Sequence, residues 1–219
     1  MKGIVLLGPP GVGKGTQAQR LRDSMGLLHL STGDVLRQEV AAGTSLGLRV
    51  KEVMASGALV SDDLVGEVVA SALAKGGGSA KGCLFDGFPR TVAQVGILDV
   101  IAQKISLDLT HVLFLEAPEA VLVRRLSGRR VCSSCNAVFH VDGNPPKTAG
   151  TCDSCGGALA HRPDDCEGVV AERLDVYRRL TEPVIEAYER RGLLRRIEGT
   201  GTPSEVFARI QSVVGRVSA

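Results

Sequence analysis

The stretch Gly8-Pro9-Pro10-Gly11-Val12-Gly13-Lys14-Gly15-Thr16 restricts the folds open to this chain more than any other feature. An apolar run, Ile4 to Leu7, leads into it, and a helix-competent stretch, Gln17 to Arg22, leads out. Strand, glycine loop and helix in that order make a phosphate cradle, the P-loop. Its glycines let successive amides turn inward toward an anion, and the following helix adds its positive end. Lys14, read as an exposed loop residue, supplies a mobile full charge for the outer phosphates. The hydroxyl that ordinarily follows this lysine as a magnesium ligand comes one residue late, at Thr16, because Gly15 intervenes.

The rest of the chain alternates strand and helix, which implies a parallel sheet wrapped by helices. A second strand is expected at Leu27 to Leu30, running into a helix cap at Ser31-Thr32-Gly33-Asp34. Helical pattern follows over 35–42 and 46–55, then from Ser61 to about Lys75, with Gly76-Gly77-Gly78-Ser79 as a flexible connection. The strand from Cys83 delivers Asp86 at its carboxyl end, the edge of an open α/β sheet where ligands bind, and an acid there suits magnesium or its waters. A helix at 91–102, a strand at 112–115 and a helix at 119–126 continue the alternation. From Gly128 to Arg162 it lapses into turns and short strands, an insertion. Helix resumes over 169–191 with a bend expected at Pro183, then a last strand at 193–197. Thr202-Pro203-Ser204-Glu205 opens the final helix with a capping box.

Composition narrows the partners. At 219 residues with a net charge of +2, the chain is not a wholesale nucleic-acid or membrane binder, and with no Trp and two Tyr it lacks stacking platforms for single strands. The first strand begins near Met1 and no apolar run approaches membrane-spanning length, so a cytoplasmic protein with reduced cysteines is expected.

The insertion carries Cys132-Ser133-Ser134-Cys135 and Cys152-Asp153-Ser154-Cys155, two C-x-x-C knuckles spaced as in four-cysteine zinc ribbons. Four thiolates close a tetrahedral Zn2+, so the metal is expected to be structural. A pair of redox disulfides is the competing reading. Cys83 and Cys166 have no partner in sequence and read as small buried or incidental residues. A zinc ribbon also invites a nucleic-acid reading, but the insertion carries Asp142, Asp153, Asp164 and Asp165, and with only Lys147 between the knuckles no basic stripe of the expected kind is present.

Arg37, Arg90, Arg125, Arg129, Arg162 and Arg173 are expected in loops or at helix ends beside the two inserted regions, where charge on a transferring phosphoryl group needs cations. With these residues the chain resembles bacterial adenylate kinases over essentially its whole length. The resemblance rests on Gly8 to Gln17, Ser31-Thr32-Gly33-Asp34, Asp86-Gly87-Phe88-Pro89-Arg90-Thr91, Gly128-Arg129-Arg130 and Arg162-Pro163-Asp164-Asp165. It implies a three-layer α/β P-loop core with a parallel five-stranded sheet, formed by 1–30, 61–127 and 166–219. It also implies a segment binding a nucleoside monophosphate at 31–60 and a small zinc-ribbon-like lid at 128–165, holding zinc through Cys132, Cys135, Cys152 and Cys155.

The same resemblance implies site roles. Gly11, Val12, Gly13, Lys14, Gly15 and Thr16 would bind ATP phosphates, with Arg125, Arg129, Val138, Phe139 and Gly201 also on the ATP side. Gly201 stands where relatives often carry Lys or Gln, so only a backbone contact to adenine can survive there. Thr32, Arg37, Ala58, Leu59, Val60, Gly87, Phe88, Pro89, Arg90 and Gln94 would hold AMP, and an amide such as that of Gln94 can pair bidentately with adenine. Arg162 and Arg173 would close on the phosphates between the nucleotides, and Lys14, Asp86, Arg90, Arg129, Arg162 and Arg173 would form the catalytic set. No side chain reads as a general base, which suits a reaction carried by positioning and charge. The expected chemistry is reversible transfer from Mg-ATP to AMP giving two ADP, by a monomer. Two alternatives stay open at this point: a related GTP:AMP or UMP/CMP kinase, against the latter of which Thr32 tilts, and a non-catalytic nucleotide-binding zinc protein.

Overall fold

The computed structural model describes residues 1–76 and 80–215. The connection expected at Gly76-Gly77-Gly78-Ser79 therefore falls largely outside the described residues. Strands β1 (Lys2–Leu7), β2 (Leu27–Ser31), β3 (Gly82–Asp86), β4 (Asp108–Glu116) and β8 (Leu194–Glu198) form one parallel sheet in the order β2-β3-β1-β4-β8.

Side chains alternate across a strand, so each buried strand feeds two cores. Ile4, Leu6, Leu84, Leu113 and Leu115 face one layer, packed with residues of α1 (Lys14–Met25), α6 (Glu119–Ser127), α7 (Glu167–Val176) and α9 (Pro203–Val214). Val5, Leu7, Cys83, Phe85, Val112 and Phe114 face the other. There they meet α2 (Thr32–Ala42), α3 (Ser45–Ala55), α4 (Asp62–Gly76), α5 (Val92–Lys104) and α8 (Glu182–Arg190). Three layers result, as the alternating pattern implies. Cys83 is a core residue whose burial pushes its thiol up to about 11, so it behaves as a small hydrophobe.

The strand order sets the position of the site. β1 lies between β3 and β4, so chain leaving the carboxyl end of β1 enters the crevice where successive connections diverge. Register pairs Leu6 with Asp86 and Leu7 with Phe114, bringing Asp86 to the foot of the glycine loop.

The expected helix over 169–191 is not continuous. α7 passes into a π-helical turn, Tyr177–Thr181, in which the Glu182 amide reaches back to the Tyr177 carbonyl, and α8 starts with Pro183 in its first turn. Proline has no amide hydrogen to give the carbonyl four residues earlier, and the wider turn absorbs the mismatch. The capping box at Thr202 and Glu205 forms as read, with Pro203 as the first helical residue.

The insertion folds as a three-stranded antiparallel sheet, β6-β5-β7, from β5 (Arg129–Cys132), β6 (Val138–His140) and β7 (Leu159–Ala160). Its buried apolar core consists of Cys132, Phe139 and Cys152, with Ala137 and Leu159 packed against it.

Candidate active site

The glycine loop takes the shape its sequence demands. Gly8, Gly11 and Gly13 have φ of 142°, 84° and 104°, and a Cβ at Gly8 would lie 2.4 Å from the Leu115 carbonyl oxygen. Gly13 caps α1 without a side-chain bond, and the first turn of α1 holds no acidic residue, so its amides face the crevice uncompensated. Lys14 is not the free loop cation its position suggests. Its Nζ donates to the Gly8 and Pro9 carbonyls at 2.6 and 2.9 Å, folding the side chain back over the loop. Burial pushes its ammonium down to about 7; Asp86 opposes that shift, while Arg90, Arg173 and Arg129 add to it.

Asp86 is buried beside the loop, its Oδ2 3.7 Å from where a Cβ would stand on Gly15 and 3.5 Å from Nε2 of His29 on β2. Its charge and its place beside the glycine loop suit magnesium or its waters. Thr16 lies in the first turn of α1, two residues beyond Lys14.

Two adjoining clefts open from this edge. The first, about 570 Å³, is lined by Thr32, Arg37, Ala58, Leu59, Val60, Gly87, Arg90, Gln94 and Arg173, together with Leu36, Met54, Gly57, Val65 and Asp164. The second, about 520 Å³, runs past Gly8, Pro10, Lys14, Pro89, Tyr177 and Thr181. Gly57, Leu59, Gly87, Arg90 and Arg173 border both, so the two spaces meet at a pair of arginines.

Local bonds set the first cleft. Ser31 caps α2 by accepting from the Asp34 amide, and Thr32 Oγ1 and Arg90 Nε both donate to the Gly87 carbonyl at 2.8 Å. Gly87 has φ of 79°, which its sharp turn after β3 requires. Gln94, 1% exposed, accepts from the Arg90 amide at 2.7 Å through Oε1 and donates to Asp62 Oδ1 at 2.8 Å through Nε2. Phe88 departs from the expectation for an AMP-side residue: its side chain is fully buried in the core, 6.4 Å from the Phe85 ring.

The arginines are held by carboxylates that the reading of the sequence did not assign to the site. Arg129 makes a two-pronged bond to Asp165, whose Oδ1 also accepts from Arg173 at 2.9 Å. Arg173 donates further to the Asp164 carbonyl and pairs with its carboxylate. Asp34 pairs with Arg37 at 2.5 Å and lies 3.7 Å from Arg162. Burial alone would raise Asp34 and Asp164, yet the surrounding guanidiniums hold both below the usual carboxylate range. Burial likewise brings Arg90 and Arg162 down to about 10, with Arg173 the next contributor at Arg90 and Arg37 at Arg162. Six cations, Lys14 and five arginines, thus share Asp34, Asp86, Asp164 and Asp165, an excess that favours a polyanion. The sequence signals for the missed acids are the runs Ser31-Thr32-Gly33-Asp34, which opens α2, and Arg162-Pro163-Asp164-Asp165, which folds as a short 3-10 turn entering α7.

Four expected positions differ. Arg37 lies in the middle of α2 and Arg129 within β5, both on regular elements, which aim a side chain more firmly than loops. Arg125 points under the glycine loop, donating to the carbonyls of Val12, Gly199 and Gly201 at 3.1, 2.9 and 3.4 Å. Of the pair Val138 and Phe139, only Val138 is exposed, since Phe139 belongs to the core of the small sheet.

The four knuckle cysteines converge, their Sγ atoms all within 4.8 Å of one another. Cys132 and Cys155 lie 3.5 Å apart, Cys135 and Cys152 3.6 Å, against about 3.8 Å between sulfurs on a tetrahedral zinc. The clustered thiols shift against one another: a backbone hydrogen bond from Cys135 draws Cys132 below the ordinary thiol value, while Cys135 and Cys155, in spite of backbone hydrogen bonds of their own, are pushed up by the sulfurs beside them. The donor set fits zinc.

A family model described as adenylate kinase matches residues 6–193. The chain belongs to the adenylate kinase family. It is 47% identical to an adenylate kinase of Syntrophobacter fumaroxidans, over 97% of this chain and 99% of that one. An adenylate kinase of Methanocella arvoryzae is 45% identical over 98% and 99%, and one of a Geobacillus species 43% over 97% and 98%. Membership in the adenylate kinase family accounts for a P-loop, paired clefts and a cysteine-bearing insertion in one chain. None of the described helices is long and apolar enough to cross a membrane.

Proposed function

We propose that this chain moves a phosphoryl group reversibly between Mg-ATP and AMP, giving two ADP. The observation that carries this reading is the pair of clefts meeting at Arg90 and Arg173, one floored by Lys14 and the glycine loop, the other by Thr32 and Gln94. A phosphate oxygen of AMP forms the new bond to the γ-phosphorus as the bond to the β–γ bridging oxygen breaks, and the electron pair leaves with ADP. No base is needed, because the attacking oxygen is already anionic, so the protein's work is alignment and charge neutralisation.

In this reading the amides of Gly11, Gly13, Gly15 and Thr16 and the Lys14 ammonium hold the donor phosphates, while Val12, whose amide donates to the Pro9 carbonyl at 3.3 Å, shapes the loop around them. Arg129, Arg162 and Arg173 neutralise the transferring group, and Arg37 and Arg90 hold the acceptor phosphate. Asp86 would hold magnesium or its waters; the ion supplies charge neutralisation and orientation of the donor phosphates when bound. Thr32, the 58–60 segment, Gly87, Pro89 and Gln94 shape the acceptor pocket, with Phe88 acting from the core. Arg125 serves the donor side indirectly, by fixing the loop carbonyls and the Gly201 segment, while Val138 and Phe139 contribute from the lid. The stretches 31–60 and 128–165 are the parts that close on the two nucleotides, leaving 1–30, 61–127 and 166–219 as the core. Both halves of the site come from one chain, which supports a monomer. Six cysteines free of disulfides suit the cytoplasm.

The test is a coupled assay over a panel of nucleoside mono- and triphosphates. ATP with AMP is expected to give the highest kcat/KM. Preference for GTP as donor, or for UMP or CMP as acceptor, would replace this reading with that of a sister kinase, and no turnover with any pair would leave a binding protein.

A further inference from the structure

We propose that Asp62 is a specificity-determining residue, which fixes the sense in which Gln94 reads a purine; the inference rests on the acceptor reading above. A carboxamide is nearly symmetric in shape. Turned by 180° it exchanges donor for acceptor, and so exchanges the base it matches. Adenine offers a donor at position 6 and an acceptor at N1. Guanine and hypoxanthine offer the reverse, an acceptor at O6 and a donor at N1.

In this structure the rotation is blocked at both ends. Asp62 Oδ1, an acceptor when ionised, takes the Nε2 hydrogen at 2.8 Å, and the Arg90 backbone amide, a donor only, points at Oε1 at 2.7 Å. Asp62 is itself held, because Thr91 Oγ1 donates to the same Oδ1 at 3.0 Å while capping α5 by accepting from the Gln94 amide. Each end of the Gln94 carboxamide keeps one hydrogen-bonding capacity, one N–H and one lone pair, in a residue that borders the first cleft. In that fixed sense the pair matches adenine. A 6-oxopurine in the same pose would set O6 against Oε1 and N1–H against Nε2–H.

The lock is tested by the ratio of kcat/KM for AMP to that for IMP in native protein, Asp62→Asn, Asp62→Ala and Gln94→Leu. Asp62→Asn keeps an acceptor oxygen and is expected to keep the ratio, whereas Asp62→Ala frees the carboxamide and should lower the ratio about tenfold or more. A merely structural role, such as charge at the start of α4, would move both variants together and leave the ratio alone. The native protein gives a check independent of folding in the variants: of the two Gln94 side-chain amide hydrogens, the one bonded to Asp62 should exchange slowly in the nucleotide-free state by NMR, and fast exchange of both with rapid rotation of the carboxamide would overturn the lock. An unchanged ratio in folded Asp62→Ala would overturn it as well. The acceptor reading fails separately, if Gln94→Leu leaves the KM for AMP where it was.

Discussion

Asp165 holds Arg129 through two bonds, Nε to Oδ2 at 2.7 Å and Nη2 to Oδ1 at 2.5 Å, with the carboxylate wholly withdrawn from solvent. The same Oδ1 accepts from Arg173, so one acid on the turn entering α7 ties the first strand of the lid to the last turn of a core helix. The acid therefore aims two cations as well as neutralising them.

Asp165→Asn keeps the shape and removes the charge. Breaking a buried pair from one side costs about 3 kcal/mol, or roughly 6–12 °C in Tm for a chain of this size. Asp175→Asn is the control, since its pair with Arg179 is about half exposed on both sides and should change stability by less than about 0.5 kcal/mol. Thermal melts of the two variants decide the matter: equal Tm values would show that Asp165 is no keystone. Turnover of Asp165→Asn, assayed well below its Tm, should fall by at least about tenfold as Arg129 and Arg173 lose their aim.

Lys14→Ala is expected to lower kcat by roughly a hundredfold or more, the scale of losing one charge at a transferring group. The fold should persist, although the variant also loses bonds to the Gly8 and Pro9 carbonyls, so a small drop in Tm accompanies the kinetic loss. Near-native turnover would remove the glycine loop from the chemistry.

A proton should accompany nucleotide binding. Burial holds the free Lys14 ammonium near 7, well below the ordinary lysine value, so at neutral pH the free protein is about half protonated there. A polyphosphate placed beside it favours the charged form and raises that value, so binding takes protons up. The uptake at Lys14 should approach about half a proton at pH 7, grow toward pH 8, and vanish well below pH 6, where the amine is already charged in both states. Calorimetry with a non-hydrolysable ATP analogue in buffers of unlike ionisation heat measures it. The same uptake in Lys14→Met would assign it to another group.

These predictions lean on features that the sequence shows unequally. The glycine loop, the five strands and the capping box at Thr202 were legible, because each depends on neighbours in the chain: glycine conformations, alternation of faces, a cap and its helix. The two cores on either side of the sheet follow from the same alternation, Ile4 and Leu6 to one and Val5 and Leu7 to the other. Pairings across the fold were not legible. Arg125 reaches Val12 over 113 residues and Gly199 over 74, and a periodic pattern says which face a side chain takes but not what it meets there. For the same reason the arginines were evident as a class while Asp34, Asp164 and Asp165, which aim them, were not. The π turn at Tyr177–Thr181 escaped because Pro183 announces a lost hydrogen bond without saying whether the helix will bend or widen.

The metal separates stability from chemistry. Three residues make up the buried apolar core of the lid sheet, and two of them, Cys132 and Cys152, are thiols of the proposed zinc site. Without the ion, Phe139 is what remains of that cluster and Val131 is buried on the same sheet, too little to hold three short strands. With it, four thiolates saturate a tetrahedral centre that keeps no open position for water or phosphate. Strong chelation or Cys152→Ser should therefore lower Tm and expose the 128–165 segment to protease. Activity measured at a temperature where the whole protein, lid included, stays folded should fall only modestly, and magnesium should still be required. Metal content, Tm, limited proteolysis and kcat on native and Cys152→Ser protein together test this. Fewer than about one zinc per chain in metal-replete native protein would contradict a structural zinc. So would a stably folded variant with no activity, because a saturated ion can act only through the fold.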